Sequence, residues 1–350
     1  MRPGLAPPGL VLETEPGPGI DGRKMDFPSL HVVIVNWSSG RQLAECLDSF
    51  AAVAGDRVAV ARITVVDNAS SDGSCDALPP SPALVLIRNT ENRGFAAACN
   101  QGVAGSDADF LLFLNPDTRL MPGALERPIQ FLQSNANRGV GIVGIQLLDE
   151  SGHVARNTAR TPTPWSMIGN SLGLDRVMPS VFPPHFVTEW AHDETRVVDQ
   201  VMGAFMLVRR TAFNTLAGFD ERFFVYFEDL DFACRARDRG FSSVYLATAQ
   251  AFHRGQGTTV SAVSARTYLF CRSRILFALK YFPKVSAFLV IAVTLFIEPA
   301  TRSVAAVLGR RSVTDVLRAF AMLWSNLPAI LRLGLSPKLD GKARGGLKVL

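Results

Sequence analysis

The sequence predicts an α/β fold built on a mostly parallel sheet, followed by a helical extension that is both basic and apolar. Three observations carry this prediction. Short continuous Val/Ile/Leu runs alternate with stretches of helical periodicity between His31 and Leu114, the pattern of parallel strands covered on both faces. Polar residues, among them Asn36, Asp67 and Asp117, stand where these runs end. From Arg254 onward fifteen Lys/Arg face three acids, about +12, which leaves about −7 for everything before it. That basic half is also the most apolar part of the chain, so an anionic membrane surface suits it better than nucleic acid.

With 350 residues, 48% of them hydrophobic, the chain is long enough for one large domain and an appendage. The five cysteines are scattered and form no CxxC. They therefore offer no zinc or disulfide framework and fit free thiols in a reducing cytosol.

Residues 1–28 are rich in Pro and Gly and lack an apolar period, which predicts a disordered leader; Met25 is an alternative start. Val32–Val35 reads as a buried strand, Arg41–Val53 as a helix, and Arg62–Val66 as a second strand ending at Asp67. Leu84–Ile87 is a third strand, Arg93–Val103 a helix, and Phe110–Leu114 a fourth strand ending in Asn115-Pro116-Asp117. Ligands of such sheets bind beyond the carboxyl ends of the strands. No GxGxxG follows the first strand, which argues against hydride transfer. At the strand ends an Asp can accept from a base or ribose, or simply close an Asx turn. Asp117 suits a hard divalent cation.

The run Phe223–Arg235 places Glu228, Asp229 and Asp231 directly after a group of aromatics. Acids there ordinarily offset the helix dipole, and Asp231 with Arg235 has the spacing of an i,i+4 pair. Ser264–Tyr281 reads as a helix whose Arg266, Arg272 and Arg274 either meet phosphate or form a solvated basic face. Val285–Ile297 has thirteen uncharged residues, ~20 Å as a helix against ~30 Å of bilayer hydrocarbon. Glu298-Pro299 should interrupt it, so a buried core helix or an in-plane membrane helix is expected. Val316, Leu317, Phe320, Leu323, Trp324, Leu327, Ile330 and Leu331 recur at helical spacing, as in an interfacial helix or one packed on the domain.

Six motifs in order then resemble the GT-A glycosyltransferases of family 2, in particular the rhamnosyltransferase-like branch. They are Val33–Trp37, Val65–Ser74, Asn89–Asn100, Leu114–Thr118, Gly203–Arg210 and Gly218–Arg235. The resemblance covers roughly residues 30–282. It implies a Rossmann-like GT-A catalytic domain over 29–282, with the leader at 1–28 and a helical, membrane-associating extension at 283–350. Its activity would be inverting transfer of a sugar from a nucleoside diphosphate to a hydroxyl of a lipid-linked or cell-envelope glycan, with Mg2+ or Mn2+ as cofactor. The branch favours L-rhamnose from dTDP-rhamnose; UDP sugars are the alternative donors. A sugar-nucleotide-binding protein without catalysis is an alternative of another class. The two-carboxylate scheme of glycoside hydrolases ranks lower, because it needs no nucleotide pocket.

Carried over residue by residue, the resemblance places Asn36 and Asp67 at the base and ribose, and Asn92, Arg93 and Gly94 in the loop beside the nucleotide. Asn100 would support that loop. Asp117 matches the last residue of a DxD metal motif whose first Asp is here Asn115, and His253 the histidine near the diphosphate and metal. Gly203 and Ala204 would leave room for the acceptor sugar. Asp229 stands at the catalytic-base position, and Glu228 would hold an acceptor hydroxyl. The expected location is peripheral, on the cytoplasmic face of an anionic membrane.

Overall fold

Alternate residues of β1 (Ser29–Asn36) enter opposite cores. Leu30, Val32 and Ile34 join one hydrophobic cluster, Val33 and Val35 the other. The unbroken apolar run Val32–Val35 is thus explained by a sheet covered on both sides. The computed structural model describes residues 27–53, 55–76, 78, 83–255 and 263–336. The expected leader, save residues 27 and 28, and the end of the basic tail lie outside them.

The chain divides into two units, one comprising 1–160, 186–219 and 232–258, the other 161–185, 220–231 and 259–350. In the first, β1 is followed by α1 (Gln42–Asp48), β2 (Ala59–Asp67), β3 (Leu84–Arg88), α2 (Phe95–Val103), β4 (Phe110–Leu114) and β5 (Thr118–Leu120). Then come α3 (Glu126–Gln133), β6 (Val140–Leu148) and the short β7 (Val154–Ala155) and β8 (Thr158–Ala159). After the insertion, β9 (Arg196–Val198), β10 (Gln200–Val201), β11 (Phe205–Arg209) and β12 (Ser242–His253) complete the strands. The sheet order is β3-β2-β1-β4-β11-β6-β12-β5. Its β3-β2-β1-β4 half is wholly parallel, while β11 runs antiparallel to both β4 and β6. Asn36, Asp67 and Arg88 lie in register at the carboxyl edge of the parallel half. Behind this edge, at mid-strand, α2 approaches the sheet closely: a Cβ on Gly102 would fall 2.5 Å from Val33 Cγ1. Between β11 and β12, α5 (Arg210–Thr215) and α6 (Glu228–Asp238) follow, the first turn of α6 being assigned to the second unit.

The second unit is helical: α4 (Pro164–Leu172), α7 (Val263–Tyr281), α8 (Lys284–Ala292), α9 (Glu298–Leu308) and α10 (Val313–Leu335). The expected break at Glu298-Pro299 does not occur. A π-helical turn, Val293–Ile297, joins α8 to α9, and the helix runs from Lys284 to Leu308. Pro299 has no N–H for the carbonyl of Leu295. That carbonyl accepts instead from Trp324 Nε1 of α10, at 3.2 Å. Glu298, fully buried, pairs with Arg274 and Arg302. A widened turn and two arginines thus carry a proline and an acid through an otherwise apolar helix.

Part of the apolar stripe expected on α10 is used inside the unit, while its Leu317 and Trp324 stay exposed. Phe320, Leu323 and Ile330 are buried, and a Cβ on Gly334 would fall 2.5 Å from Leu279 Cδ1 of α7. The exposed stripe lies on the preceding helix: Val285, Phe288, Leu289, Phe296, Ile297, Val304, Val307 and Leu308. Both this 25-residue helix and α10, with 23 residues, are long and apolar enough to cross a membrane by length and composition.

Candidate active site

In the first unit the strand ends are knitted together by amides and hydroxyls. Asn36 is wholly buried, and its amide donates to Ser70 Oγ (3.0 Å), Ser74 Oγ (2.9 Å) and Cys75 Sγ (3.2 Å) while accepting from Ser39. What Asn36 supplies is the shape of the 70–75 loop. Asp67, also buried, accepts from Ser70 N at 3.0 Å and turns its other oxygen toward Arg88 at 3.7 Å. The Asx turn and the ion pair coexist, so the same carboxylate shapes the loop and faces the strand edge.

Asn68 is a hub that motif reading passed over. Its amide donates to Gly94 O (3.1 Å), and its oxygen accepts from Asn89 Nδ2 (3.0 Å) and Arg93 N (3.3 Å). Gly94 closes the loop with φ +83° and donates to Asn92 Oδ1 at 3.0 Å. A side chain would strain that backbone, which is why α2 starts at Phe95 rather than at Arg93. The chemical signal for Asn68 was its place directly after Asp67, in reach of a second Asn-rich loop. Asn100 grips a different segment from the one expected. It donates to Phe219 O (2.9 Å) and accepts from Phe219 N (2.8 Å), and the adjacent Gly218 has φ +75° and no room for a Cβ, 2.5 Å from Asn100 Oδ1.

Asp117 and His253 meet. β5 pairs antiparallel with the end of β12, so Thr118 faces His253, and Arg254 N donates to Asp117 O at 3.1 Å. His253 Nε2 then lies 3.3 Å from Asp117 Oδ1, with both side chains largely buried. Ala204, itself buried, fixes this turn: its carbonyl accepts from Asn115 N (3.0 Å) and Thr118 Oγ1 (3.3 Å). Gly203 immediately precedes it, in the turn that leads into β11. Two ligands ~2.1 Å from a metal on neighbouring octahedral positions stand ~3.0 Å apart, so the pair fits a divalent ion. No group of three or more His, Cys, Asp or Glu side chains arranged for a metal occurs among the described residues. Beside Asp117 opens a cavity of about 310 Å³ lined also by Gln42, Glu45, Arg119, Glu150, Phe252 and Arg254. Arg119 stacks on Phe252, 4.0 Å from the ring centroid, and Arg254 pairs with Glu150 at 2.7 Å. These two cations, flanking Asp117 and His253 in sequence, were missed in favour of arginines farther on.

Two of those later arginines do other work. Arg272 and Arg274 are buried in the second unit: Arg272 donates to Arg222 O (3.1 Å) and Arg274 pairs with Glu298. In the same unit the segment 220–231 is held by α7. Ser273 Oγ donates to Val225 O at 2.8 Å, and Phe270 and Phe277 pack on Phe227. Tyr226 and Phe227 are both left-handed, with φ +65° and +69°, directly before α6. Glu228 follows, buried, and its Oε2 has no hydrogen-bond partner among the described residues. Burial and the neighbouring Asp229 and Asp231 raise its pKa well above the usual glutamate range. Asp229 Oδ1 accepts from Leu230 N at 2.8 Å. Asp231 is fully buried and bonded by Lys280 and by Tyr281 Oη (2.7 Å). Arg235, its expected i,i+4 partner, donates to the carbonyls of Leu216 and Gly218.

The motifs have relatives. An N-acetylglucosaminyl-diphospho-decaprenol L-rhamnosyltransferase of Mycobacterium tuberculosis is 29% identical over 271 residues, 70% of this chain and 84% of its own. The low-salt glycan biosynthesis hexosyltransferase Agl10 of Haloferax volcanii is 24% identical over 260 residues, 73% of this chain and 77% of its own. Among solved structures, the mannosyltransferase PcManGT of Pyrobaculum calidifontis, in complex with GDP-Man and Mn2+, aligns with a TM-score of 0.49 at 17% identity, covering 89% of this chain and 86% of that one. Residues 28–272 match the family described as glycosyltransferase like family 2, and the chain, an α/β enzyme with a C-terminal helical region, belongs to that family.

Proposed function

We propose that this glycosyltransferase moves L-rhamnose from dTDP-rhamnose, with inversion, to a hydroxyl of a lipid-linked or cell-envelope glycan at the cytoplasmic face of a membrane. The observation that carries the reading is the Asp117–His253 pair, 3.3 Å apart, beside a cavity with two arginines. The name of the mycobacterial relative, an L-rhamnosyltransferase acting on a polyprenyl diphosphate, supports the choice of donor and acceptor.

In this mechanism Asn36, Asp67, Asn92, Arg93 and Gly94 shape the pocket for base and ribose, and Gly203 and Ala204 leave room for the acceptor. Asp117 and His253 would hold Mg2+ or Mn2+, which supplies positive charge to the leaving diphosphate when bound. Arg119 and Arg254 supply guanidinium donors to the diphosphate once they release Glu45 and Glu150. The acceptor oxygen forms a bond to C1 of the sugar as the bond from C1 to the diphosphate oxygen breaks, the electron pair leaving with the diphosphate. The hydroxyl proton passes to Asp229. A free aspartate is a weak base for a sugar alcohol, so the transfer comes late, when the hydroxyl has become acidic. Glu228, held toward its protonated form, donates a hydrogen bond to the acceptor and does not compete for the proton.

A thermal-shift series with dTDP-rhamnose and UDP sugars, with and without Mn2+ or Mg2+, tests the donor side. Metal-dependent stabilisation by dTDP-rhamnose above the UDP sugars is expected. Preference for a UDP sugar would reassign the donor, and no stabilisation by any nucleotide sugar would overturn the reading.

A further inference from the structure

All but four of the exposed large hydrophobic side chains among the described residues belong to the second unit; the exceptions are Phe27, Val154, Phe186 and Val197. Within that unit they concentrate on the helix Lys284–Leu308. Phe288 is 68% exposed, Phe296 75%, Val304 60% and Leu308 80%. Between Lys284 and Arg302 its one charged residue is Glu298, which is fully buried. The outward face is therefore uncharged for about four turns. Its borders are cationic: Lys284 opens the helix, and exposed Arg310 and Arg311 follow Leu308. Arg318 and Arg332 of α10 are also exposed, against Asp315 as the one acid of 284–336 besides Glu298.

We propose that this face docks on an anionic lipid leaflet, the helix Lys284–Leu308 lying in the plane of the headgroups. The inference deepens the reading above, in which the acceptor is lipid-linked. An apolar stripe bordered by cations matches the two layers of such a surface, hydrocarbon below and negative headgroups above. A spanning orientation is disfavoured by the other face. There Glu298 is tied to Arg274 of α7, and α7 also carries Arg266, Arg272 and Lys280, which would be drawn into hydrocarbon with it. The same unit holds the Glu228–Asp229 segment, through Ser273 to Val225 O, Arg272 to Arg222 O and Lys280 to Asp231. The acids assigned to the acceptor thus move with the lipid-facing helix.

The test is flotation of the full chain with phosphatidylglycerol/phosphatidylcholine vesicles and with pure phosphatidylcholine vesicles. Wild type is expected to float with the anionic vesicles, and Arg310→Glu/Arg311→Glu to partition at least roughly thirtyfold more weakly, from about 1 kcal/mol for each charge lost. Phe288→Glu/Leu308→Glu is expected to abolish flotation while retaining wild-type thermal stability. Wild type remaining at the bottom with both compositions would overturn the proposal, as would unchanged flotation of Phe288→Glu/Leu308→Glu. A dimer in light scattering that this same double variant dissociates, with no flotation, would assign the face to a second copy of the chain. The readout is independent of catalysis: vesicle binding without sugar transfer to any acceptor would overturn the proposed reaction and leave the surface standing.

Discussion

Lys280 Nζ stands 2.7 Å from Asp220 Oδ2 and also donates to Asp231. One cation at the end of α7 therefore neutralises buried carboxylates at both ends of the segment that carries Asp229. Arg222 shares the load at Asp220, at 2.7 Å. Burial alone would raise the Asp220 pKa, but the hydrogen bonds from Arg222 and the charge of Lys280 hold it well below the usual carboxylate range. Removing Lys280 takes a bonding cation from the fully buried Asp231 carboxylate, to which Tyr281 Oη also donates. Lys280→Met is expected to cost about 3–5 kcal/mol in urea unfolding. The folded Asp220 pKa is depressed, so its contribution is present above the unfolded value of about 3.9 and is lost as pH falls through and below it. The penalty of Lys280→Met should accordingly shrink in acid; a penalty independent of pH would show that the charges are not its source.

Tyr226 and Phe227 hold positive φ side by side, and a left-handed conformation costs an L-residue roughly 1–2 kcal/mol. Such strain persists where surrounding packing over-determines it, here the rings of Phe270 and Phe277. Tyr226→Gly relieves one strained residue and loses a half-buried ring, so stability should change by less than about 1 kcal/mol. The turn that aims Glu228 and Asp229 is then free to relax. We expect kcat to fall by at least about tenfold, since small misplacements of reacting groups cost that much or more. Unchanged kcat would mean that the turn does not position the acids.

Glu228 differs from Asp220 in sign. Its pKa is raised by burial and by Asp229, so the folded state keeps a proton that the unfolded chain releases near pH ~4.3. The folded state then binds more protons, and this group lowers stability as pH rises from that value toward its folded pKa. Glu228→Gln keeps the shape and removes the titration. Its Tm should match wild type near pH 4 and exceed it near pH 8, whereas a constant offset between the two curves would rule out the buried acid as the cause.

How much of this was legible in the sequence depended on whether the causes were local. The strands were legible because a buried parallel strand such as Val32–Val35 is apolar throughout. Asp117 and His253 were placed together through motif resemblance, and the β5–β12 pairing that joins them is set by residues far apart in the chain. Asn36 and Asp67 were placed at the pocket, yet their hydrogen bonds inside the 70–75 loop depend on hydroxyls that no periodicity reveals. Local spacing offers Asp231 the neighbour at i+4, whereas Lys280 and Tyr281 reach it from a helix that folds back, which local spacing cannot see. Pro299 was read as a stop for the same reason: the rescue of the Leu295 carbonyl comes from Trp324 on another helix.

That rescue is testable in isolation. Trp324→Phe retains an aromatic ring and removes the donor to Leu295 O. A carbonyl left without its partner beside a proline costs about 1–2 kcal/mol, so urea unfolding should register that loss. In a background of Pro299→Ala the backbone N–H returns to the helix, and the same substitution should cost less than half as much. Equal costs in the two backgrounds would disconnect the indole from the proline.

The two halves of the proposed chemistry separate by mutation. Asp117→Asn withdraws one of the two proposed protein ligands of the metal, so the Mn2+-dependent part of the nucleotide thermal shift should vanish and the donor KM should rise. Asp229→Asn leaves Asp117 and His253 untouched; donor binding and its metal dependence should be preserved while kcat falls by about 10²–10⁴, the usual range for losing a general base. His253→Ala should resemble Asp117→Asn, since the two side chains face each other at 3.3 Å. If Asp229→Asn turns over as fast as wild type, the base lies elsewhere. If Asp117→Asn keeps the full Mn2+ response, the diphosphate is neutralised without that pair, and Arg119 and Arg254 become the groups to remove next.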